Sequence, residues 1–261
     1  MTDYLTFLGT GDSMGVPRVY CECGICMEAR GEGRNRRWRS SVLLESAEAG
    51  RLLVDCGPDW TAQMERAGIH GMSDVLITHA HHDHIGGLPE WADACRWLER
   101  RGRMYAPEDV LQTIRGRYPW LEGQLDYHAL NGSLAFGGWR IEPWKVNHGK
   151  NGYAYAYAYR FSSPSFAWAY CSDSIALSDA EKAPLRGLDL LVLGTNFYRE
   201  PYEAHTRSVY DMVEALELLD EVKPRRTLFT HLSHAVDIRA AYGLPDSVAL
   251  ADTGVQVALS R

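Results

Sequence analysis

A run of histidines and one aspartate follows a short apolar stretch near residue 80. In the segment LITHAHHDHIGG, four imidazoles and a carboxylate fall within six positions. Because alternate residues of an extended chain face the same way, His79 and His81 can bind one metal ion. Asp83 and His84, where the chain turns into a helix, can bind a second ion nearby. Such mixed ligands suit zinc, manganese or iron, and residue type alone does not choose among them. His82 is left without a role.

Three cysteines crowd a second segment, CECGIC. Cys21, Cys23 and Cys26 are spaced so that three thiolates can surround one zinc ion, and structural zinc usually has four ligands. Near the other end of the chain, His234 follows His231 by three residues. A helix would place both imidazoles on one face, whereas an irregular turn could aim them at different ligand sets. We predict the irregular turn, with His234 as the fourth ligand of a structural zinc.

Composition bounds the classes of protein that the chain can belong to. Of its 261 residues, 46% are hydrophobic and 23% are charged, which is too apolar for disorder. We expect no membrane association, because no apolar run approaches the roughly 18 residues of a membrane span. The N-terminus does not resemble a secretory signal, and six cysteines are too few for a disulfide scaffold, so we expect a cytoplasmic protein. The formal net charge of −7 makes a small anion a better substrate than long nucleic acid.

Short aliphatic and β-branched runs alternate with helical spacing from end to end. Nine runs are candidate strands: 4–8, 41–44, 52–55, 75–78, 140–146, 153–161, 166–170, 190–193 and 227–230. Helical spacing appears in residues 88–103, 107–118 and 208–222. With no linker or repeat in the sequence, we expect one domain over residues 1–261, with two sheets sandwiched between helices.

Two of these segments carry a specific packing prediction. In GYAYAYAYRF the tyrosines at 153, 155, 157 and 159 alternate with alanines, so we expect a strand whose tyrosine face packs in the core. In residues 208–222 one side of the predicted helix is apolar and is expected to be buried: Val209, Met212, Val213, Leu216 and Leu219.

The histidine segment matches the H-x-H-x-D-H motif without substitution, and the chain therefore resembles the metallo-β-lactamase superfamily. The matching residues are His79, His81, Asp83 and His84. The resemblance implies an α/β fold of αββα sandwich type, in which two mixed sheets are flanked by helices. It also implies a hydrolase that uses two catalytic divalent metals, zinc or manganese.

The resemblance assigns the remaining ligands of that metal pair. It implies that His148, in WKVNHGKNGY, completes the coordination of the first ion and that His231, in TLFTHLSH, completes that of the second. Asp173, in FAWAYCSDS, would bridge the two ions and so counts as a catalytic residue. Asp55, in LLVDCG, matches a position that hydrogen-bonds to a metal ligand and holds its orientation.

A second resemblance covers nearly the whole chain. The chain resembles the PhnP type of phosphoribosyl cyclic phosphodiesterase in four segments: LGTGDSMGVPRVYCECGIC, NHGKNGY, CSDS and THLSH. This implies one structural zinc beside the catalytic pair, a homodimer, and hydrolysis of a small cyclic phosphodiester, such as a phosphoribosyl cyclic phosphate or a cyclic nucleotide, by a bridging hydroxide. His205, which we place at the start of the amphipathic helix, would bind the phosphate or protonate the leaving oxygen.

Alternatives remain open at this point. Lactone or thioester hydrolysis, RNA processing and a non-catalytic metal-stabilised accessory role all fit parts of the pattern. RNA processing is disfavoured for two reasons. The segment LVLGTNFYRE lacks a Glu at the position where some processing ribonucleases of this superfamily carry one, and the chain has no long insertion that resembles their flexible arm for gripping transfer RNA. The basic loop with Arg34, Arg36, Arg37 and Arg39 is either solvated or recognises phosphate. Tyr198, Arg199 and Tyr202 are candidates for shaping the pocket.

Overall fold

Two seven-stranded sheets pack face to face in the computed structural model, which describes residues 2–31, 33–149 and 155–259. The strands are β1 Asp3–Gly9, β2 Ser41–Ser46, β3 Gly50–Val54, β4 Asp74–Leu76, β5 Gly102–Ala106, β6 Leu125–Ala129, β7 Leu134–Phe136, β8 Trp139–Asn147, β9 Tyr155–Ser162, β10 Ala167–Cys171, β11 Leu190–Gly194, β12 Thr227–Thr230, β13 Val248–Leu250 and β14 Gln256–Leu259. The helices are α1 Gly24–Arg30, α2 Trp60–Ala67, α3 His82–Ile85, α4 Leu88–Trp97, α5 Glu108–Arg117, α6 Asp179–Lys182 and α7 Met212–Val222.

Both sheets are mixed. The first has the order β14-β1-β2-β3-β4-β5-β6, antiparallel from β14 to β3 and parallel from β3 to β6. The second has the order β13-β12-β11-β10-β9-β8-β7, antiparallel from β7 to β10 and parallel from β10 to β13. Strands that run the same way bring their carboxyl ends to one edge, which is where ligands bind in many α/β folds.

Three apolar layers hold the sandwich together. One lies between the sheets and includes residues of both, among them Phe7, Val54, Phe161 and Trp168. The second joins the first sheet to α2, α4 and α5, and the third joins the second sheet to α7. The predicted fold of two mixed sheets flanked by helices is therefore confirmed. No helix of the described residues is long and apolar enough to cross a membrane.

The tyrosine stripe does not pack as predicted. Tyr159 is fully buried and donates a hydrogen bond to the carbonyl of Ile77 at 2.7 Å, but the side chain of Tyr155 is 56% exposed. Ala156 and Ala158 are the buried members of the opposite face, in the layer beneath the helices. The prediction of a uniformly buried tyrosine face is wrong, because at the first residues of β9 only the opposite face is buried. The tyrosine at 153 lies outside the described residues.

Two predicted helices begin or end elsewhere. The helical spacing of residues 88–103 overshoots, since α4 ends at Trp97 and Glu99 adopts a left-handed φ of 52°. In the segment 208–222 the helix begins only at Met212, where the carboxylate of Asp211 accepts a hydrogen bond from the backbone N–H of Glu214 and caps the first turn. The buried face of α7 is Met212, Ala215, Leu218, Leu219 and Val222, whereas Val213 and Leu216 are partly exposed.

Candidate metal centres

The histidine motif begins where the first sheet ends. The strand β4 ends at Leu76, two residues earlier than predicted, and the extended chain that follows carries His79 and His81. The one-turn helix α3 then carries Asp83 and His84. The other predicted ligands also follow strands, since His148 comes after β8, Asp173 after β10 and His231 after β12. The fold therefore brings all seven to one edge of the sandwich.

Three imidazoles form the first ligand set. The Nε2 atom of His79 lies 2.8 Å from Nδ1 of His81, which lies 3.2 Å from Nε2 of His148. Burial and the neighbouring His84 hold the pKa of His79 well below its usual value, and burial with His148 lowers the pKa of His81 to about 4. The rings of His79 and His81 are therefore neutral at physiological pH, which is the form that donates a lone pair to a metal.

The second ligand set consists of Asp83, His84 and His231. Carboxylates join it to the first set. Asp173 Oδ1 lies 3.3 Å from Nε2 of His231 and 3.6 Å from Nε2 of His148, and its Oδ2 lies 3.2 Å from Nε2 of His84. Asp83 Oδ2 lies 3.1 Å from Nε2 of His84 and 3.6 Å from Nε2 of His231. Asp173 thus stands between the two sets, in the position that the resemblance assigns to a bridging ligand.

The electrostatics of this edge favour cations. Burial alone would raise the pKa of Asp173, but His231 and His84 outweigh burial and hold the pKa well below its usual value. Burial alone would lower the pKa of His231, but Asp173 and Asp83 raise that pKa to about 9. The two carboxylates therefore stay ionised in the protein interior, where an ionised group requires a compensating positive charge.

Unpartnered ligand atoms provide a test of whether metal ions fit. Among the described residues, buried Nε2 of His84, Oδ2 of Asp173 and both ring nitrogens of His231 have no hydrogen-bond partner. Leaving a buried polar group without a partner costs about 1–3 kcal/mol, so native proteins rarely do it. Nε2 of His84 lies 3.2 Å from Oδ2 of Asp173, and Nε2 of His231 lies 3.3 Å from Oδ1 of the same carboxylate. Divalent cations bound here would give partners to Nε2 of His84, Oδ2 of Asp173 and Nε2 of His231, and the donor set therefore fits the metals that this fold implies.

Surrounding residues fix the direction of the ligand rings. Oδ2 of Asp55 lies 2.7 Å from Nδ1 of His84, and Oδ1 of Asp55 accepts a hydrogen bond from the backbone N–H of Thr78 at 2.8 Å. Nδ1 of His148 lies 2.8 Å from the carbonyl oxygen of Ser208 and can donate its proton there. Both contacts leave Nε2 of the histidine directed at the edge of the sandwich where the seven predicted ligands meet, called the metal edge below. The predicted hydrogen bond of Asp55 to a ligand is confirmed.

A separate cluster forms around the cysteine loop. Nδ1 of His234 lies 3.2 Å from Sγ of Cys21 and 3.6 Å from Sγ of both Cys23 and Cys26. All four ligand atoms lie within 4.8 Å of one another, a spacing that suits a closed zinc site. His231 and His234 lie on an irregular turn and face different ligand sets, as predicted. Zinc binding itself stays a prediction.

Comparison with known proteins decides the family. Residues 50–232 match the family described as the beta-lactamase superfamily domain. The chain belongs to the metallo-β-lactamase superfamily. Within this superfamily it is similar to a diphosphatase of the PhnP family, whose crystal structure aligns with a TM-score of 0.86 and 29% identity over 99% of this chain and 97% of that one. Zinc-bound PqqB from Methylobacterium extorquens aligns with a TM-score of 0.82 over 97% of this chain and 99% of that one, but at 18% identity it supports the fold alone.

Two curated relatives are longer than this member of the superfamily. An octanoyltransferase of Porphyromonas gingivalis is 29% identical over 87% of this chain and 45% of its own length. A ribonuclease Z of Methanosarcina acetivorans is 26% identical over 63% of this chain and 47% of its own length. The chain thus spans less than half the length of either protein.

His205 is not among the residues that the metal edge brings together. It lies in a short 3₁₀ turn, Ala204–Thr206, so the prediction that it opens the amphipathic helix is wrong. Its side chain is 68% exposed, and its Nδ1 lies 3.2 Å from Oε2 of Glu203. It lines a cavity of about 420 Å³ with Asn147, the neighbour of His148. Its catalytic role stays a prediction.

The arginine loop contains a residue whose role the sequence did not reveal. Arg37 is 1% exposed and donates hydrogen bonds to the carbonyls of Ser233 at 2.8 Å and Val236 at 2.9 Å. It is therefore neither solvated nor available to a phosphate. A run of four arginines gives no signal that one of them is internal. Arg39 pairs with Asp59 at 3.0 Å.

The aromatic residues after β11 remain exposed. The side chains of Tyr198 and Tyr202 are 42% and 63% exposed, and the ring of Tyr198 lies 5.2 Å from that of Tyr242. The structure places neither tyrosine among the ligand sets, and a role in shaping the pocket stays a prediction for them and for Arg199.

Proposed function

We propose that this protein is a two-metal phosphodiesterase that hydrolyses a small cyclic phosphodiester, such as a phosphoribosyl cyclic phosphate or a cyclic nucleotide. The observation that carries the proposal is the position of Asp173. Its two oxygens lie within 3.6 Å of His148, His231 and His84, so one carboxylate faces ligands of both sets. A carboxylate placed between two ligand sets suits a pair of neighbouring ions, because each of its oxygens can bind one of them.

The relatives support phosphorus rather than carbon as the reacting centre. A PhnP-family diphosphatase and a ribonuclease Z both act on phosphoesters or phosphoanhydrides, and the diphosphatase covers 99% of this chain. The net charge of −7 is unfavourable for long RNA, which leaves a small anionic substrate as the better choice.

In this mechanism, two bound divalent ions would supply a nucleophilic water at neutral pH and neutralise charge on the phosphoryl oxygens. The chain's own residues position those ions. Neutral His79 and His81 offer lone pairs, ionised Asp173 lies between the sets, and the carbonyl of Ser208 orients His148. His205, exposed on the turn that precedes Ser208, is our candidate to bind the phosphate or protonate the leaving oxygen.

Activity on matched substrates tests this proposal. Protein loaded with zinc or manganese should cleave an aryl phosphodiester and a cyclic ribose phosphate, and Asp173→Ala should lose at least about a thousandfold in kcat/KM while keeping its circular dichroism spectrum. Asp179→Ala, at an exposed position in α6, is the matched control and should retain activity. Light scattering on the same preparation tests the proposed homodimer.

Three outcomes would replace the proposal. Cleavage of lactones or thioesters alone would make the protein a carbonyl hydrolase, a reading that the octanoyltransferase relative makes worth testing. Cleavage of a precursor transcript but not of small diesters would indicate RNA processing. One bound ion per chain, removed by Cys23→Ser and accompanied by no hydrolysis, would indicate an accessory protein held together by the thiolate cluster.

A further inference from the structure

A small cavity lies beside the first ligand set. Its volume is about 180 Å³, and its lining includes His79 and Ala80, Tyr155 and Tyr157 of β9, and Asp109 of α5. In the second sheet, Tyr155 pairs in register with Asn147, the residue before His148. The cavity is therefore reached from the edge where the metal ligands converge.

The charges in the wall of this cavity are already paired. The hydroxyl of Tyr157 lies 3.0 Å from both carboxylate oxygens of Asp109, and Nζ of Lys145 lies 3.2 Å from Oδ2 of the same carboxylate. The Lys145 ammonium also lies 5.5 Å from the ring centre of Tyr157 and 5.6 Å from that of Tyr155. Among the described lining residues, no cation is left to bind a second phosphate group.

The ring of Tyr155 is accessible. With 56% of its side chain exposed at the start of β9, it can be covered by a ligand, whereas Tyr159 of the same face is fully buried. A planar group can stack on an exposed aromatic ring that borders a small recess.

We propose that this cavity is a subsite for an uncharged planar ring carried by the substrate diester, with Tyr155 as the residue that determines this specificity. The inference rests on the proposed phosphodiesterase function and refines its substrate class. Whole-ligand pockets have volumes of roughly 300–1,000 Å³, so a cavity of about 180 Å³ takes one ring while the phosphate lies at the metal edge. A nucleobase or aryl group fits this description, and a second phosphate does not.

Two substrates with the same leaving group test the subsite. Bis(p-nitrophenyl) phosphate and methyl p-nitrophenyl phosphate both release p-nitrophenolate and differ only in the group that stays on phosphorus. We expect Tyr155→Ala to lower kcat/KM about tenfold for the diaryl ester, mainly through KM, and to change the methyl ester less than twofold. Tyr155→Phe should restore the wild-type ratio, and Tyr4→Ala, at an exposed tyrosine of β1 that is not among the described lining residues of this cavity, should leave it unchanged.

The outcomes separate the subsite from the activity. Equal losses on both substrates, or no loss on either, would overturn the subsite while leaving the phosphodiesterase in place. Wild-type protein that cleaves neither ester would overturn the proposed function itself, and the subsite with it. Tyr155→Leu, which is apolar but has no ring, gives the same comparison if Tyr155→Ala is unstable.

Discussion

Replacing Arg37 with Met should destabilise the turn that carries His231 of the second ligand set and His234 of the cysteine cluster. The guanidinium of Arg37 is buried and donates to the carbonyls of Ser233 and Val236, which flank His234. Methionine fills much of the same volume but donates nothing, so the two carbonyls lose their charged donors. The turn carries His231 toward one ligand set and His234 toward the other.

The magnitude follows from two opposing effects. A hydrogen bond from a charged donor contributes about 1.5–3 kcal/mol, so the loss of two costs about 3–6 kcal/mol. Removing the buried charge offsets part of this loss of stability, because burial disfavours the charged form and lowers the pKa of Arg37 to about 10. We expect a net loss of about 2–3 kcal/mol in the free energy of unfolding.

Urea unfolding of Arg37→Met and of a control measures this effect. Arg34→Met removes the same charge from a side chain that is 71% exposed and paired with Asp252, so it should cost less than about 1 kcal/mol. Arg37→Met should also release zinc to a chelator faster, since the turn that carries His234 has lost its support. Equal stability of the two variants, within about 0.5 kcal/mol, would refute the reasoning.

Other substitutions test the supports of individual ligands. Asp55→Asn should weaken metal binding about 10–100-fold in a chelator competition, because the partner that orients His84 becomes neutral; unchanged affinity would contradict this. Gly194→Ala would bring a Cβ atom to 1.7 Å from the carbonyl oxygen of Ser172, the residue before Asp173. Because the clash should displace Asp173, purified protein should contain less than the full complement of metal by elemental analysis. Gly116→Ala, on an exposed part of α5 with no atom within 4 Å of the new Cβ, should stabilise the protein by up to about 1 kcal/mol in thermal unfolding without changing its metal content.

The sequence anticipated the metal edge well, because the histidine motif is a local signal and the family resemblance supplied the more distant ligands. His79, His148 and His231 each follow an apolar run, and the fold brings them together as expected. The role of Asp55 was also predicted, since the resemblance assigns it; Asp55 directly follows β3, the strand that pairs with β4. These assignments needed no knowledge of which helix packs on which sheet.

Features that depend on tertiary packing were not predictable in the same way. The strands β5, β6, β7, β13 and β14 were not identified, since strand propensity depends strongly on packing and pairing with neighbours elsewhere in the fold. The burial of Arg37 depends on carbonyls almost 200 residues away. Tyr155 is exposed although Ala156 beside it is buried, and residue alternation alone does not reveal which face of β9 is covered.

The turn at residues 231–234 should be among the segments least tolerant of a change in length. Within it, the backbone N–H of Leu232 donates to Thr10 at 2.8 Å and that of Ser233 donates to Asn196 at 3.0 Å, so both middle residues are tied to distant parts of the chain. One inserted or deleted residue would reset the register of these bonds and swing one imidazole away from its partners. In a library of random insertions, survivors at this turn should be scarce even where exposed loops accept several extra residues.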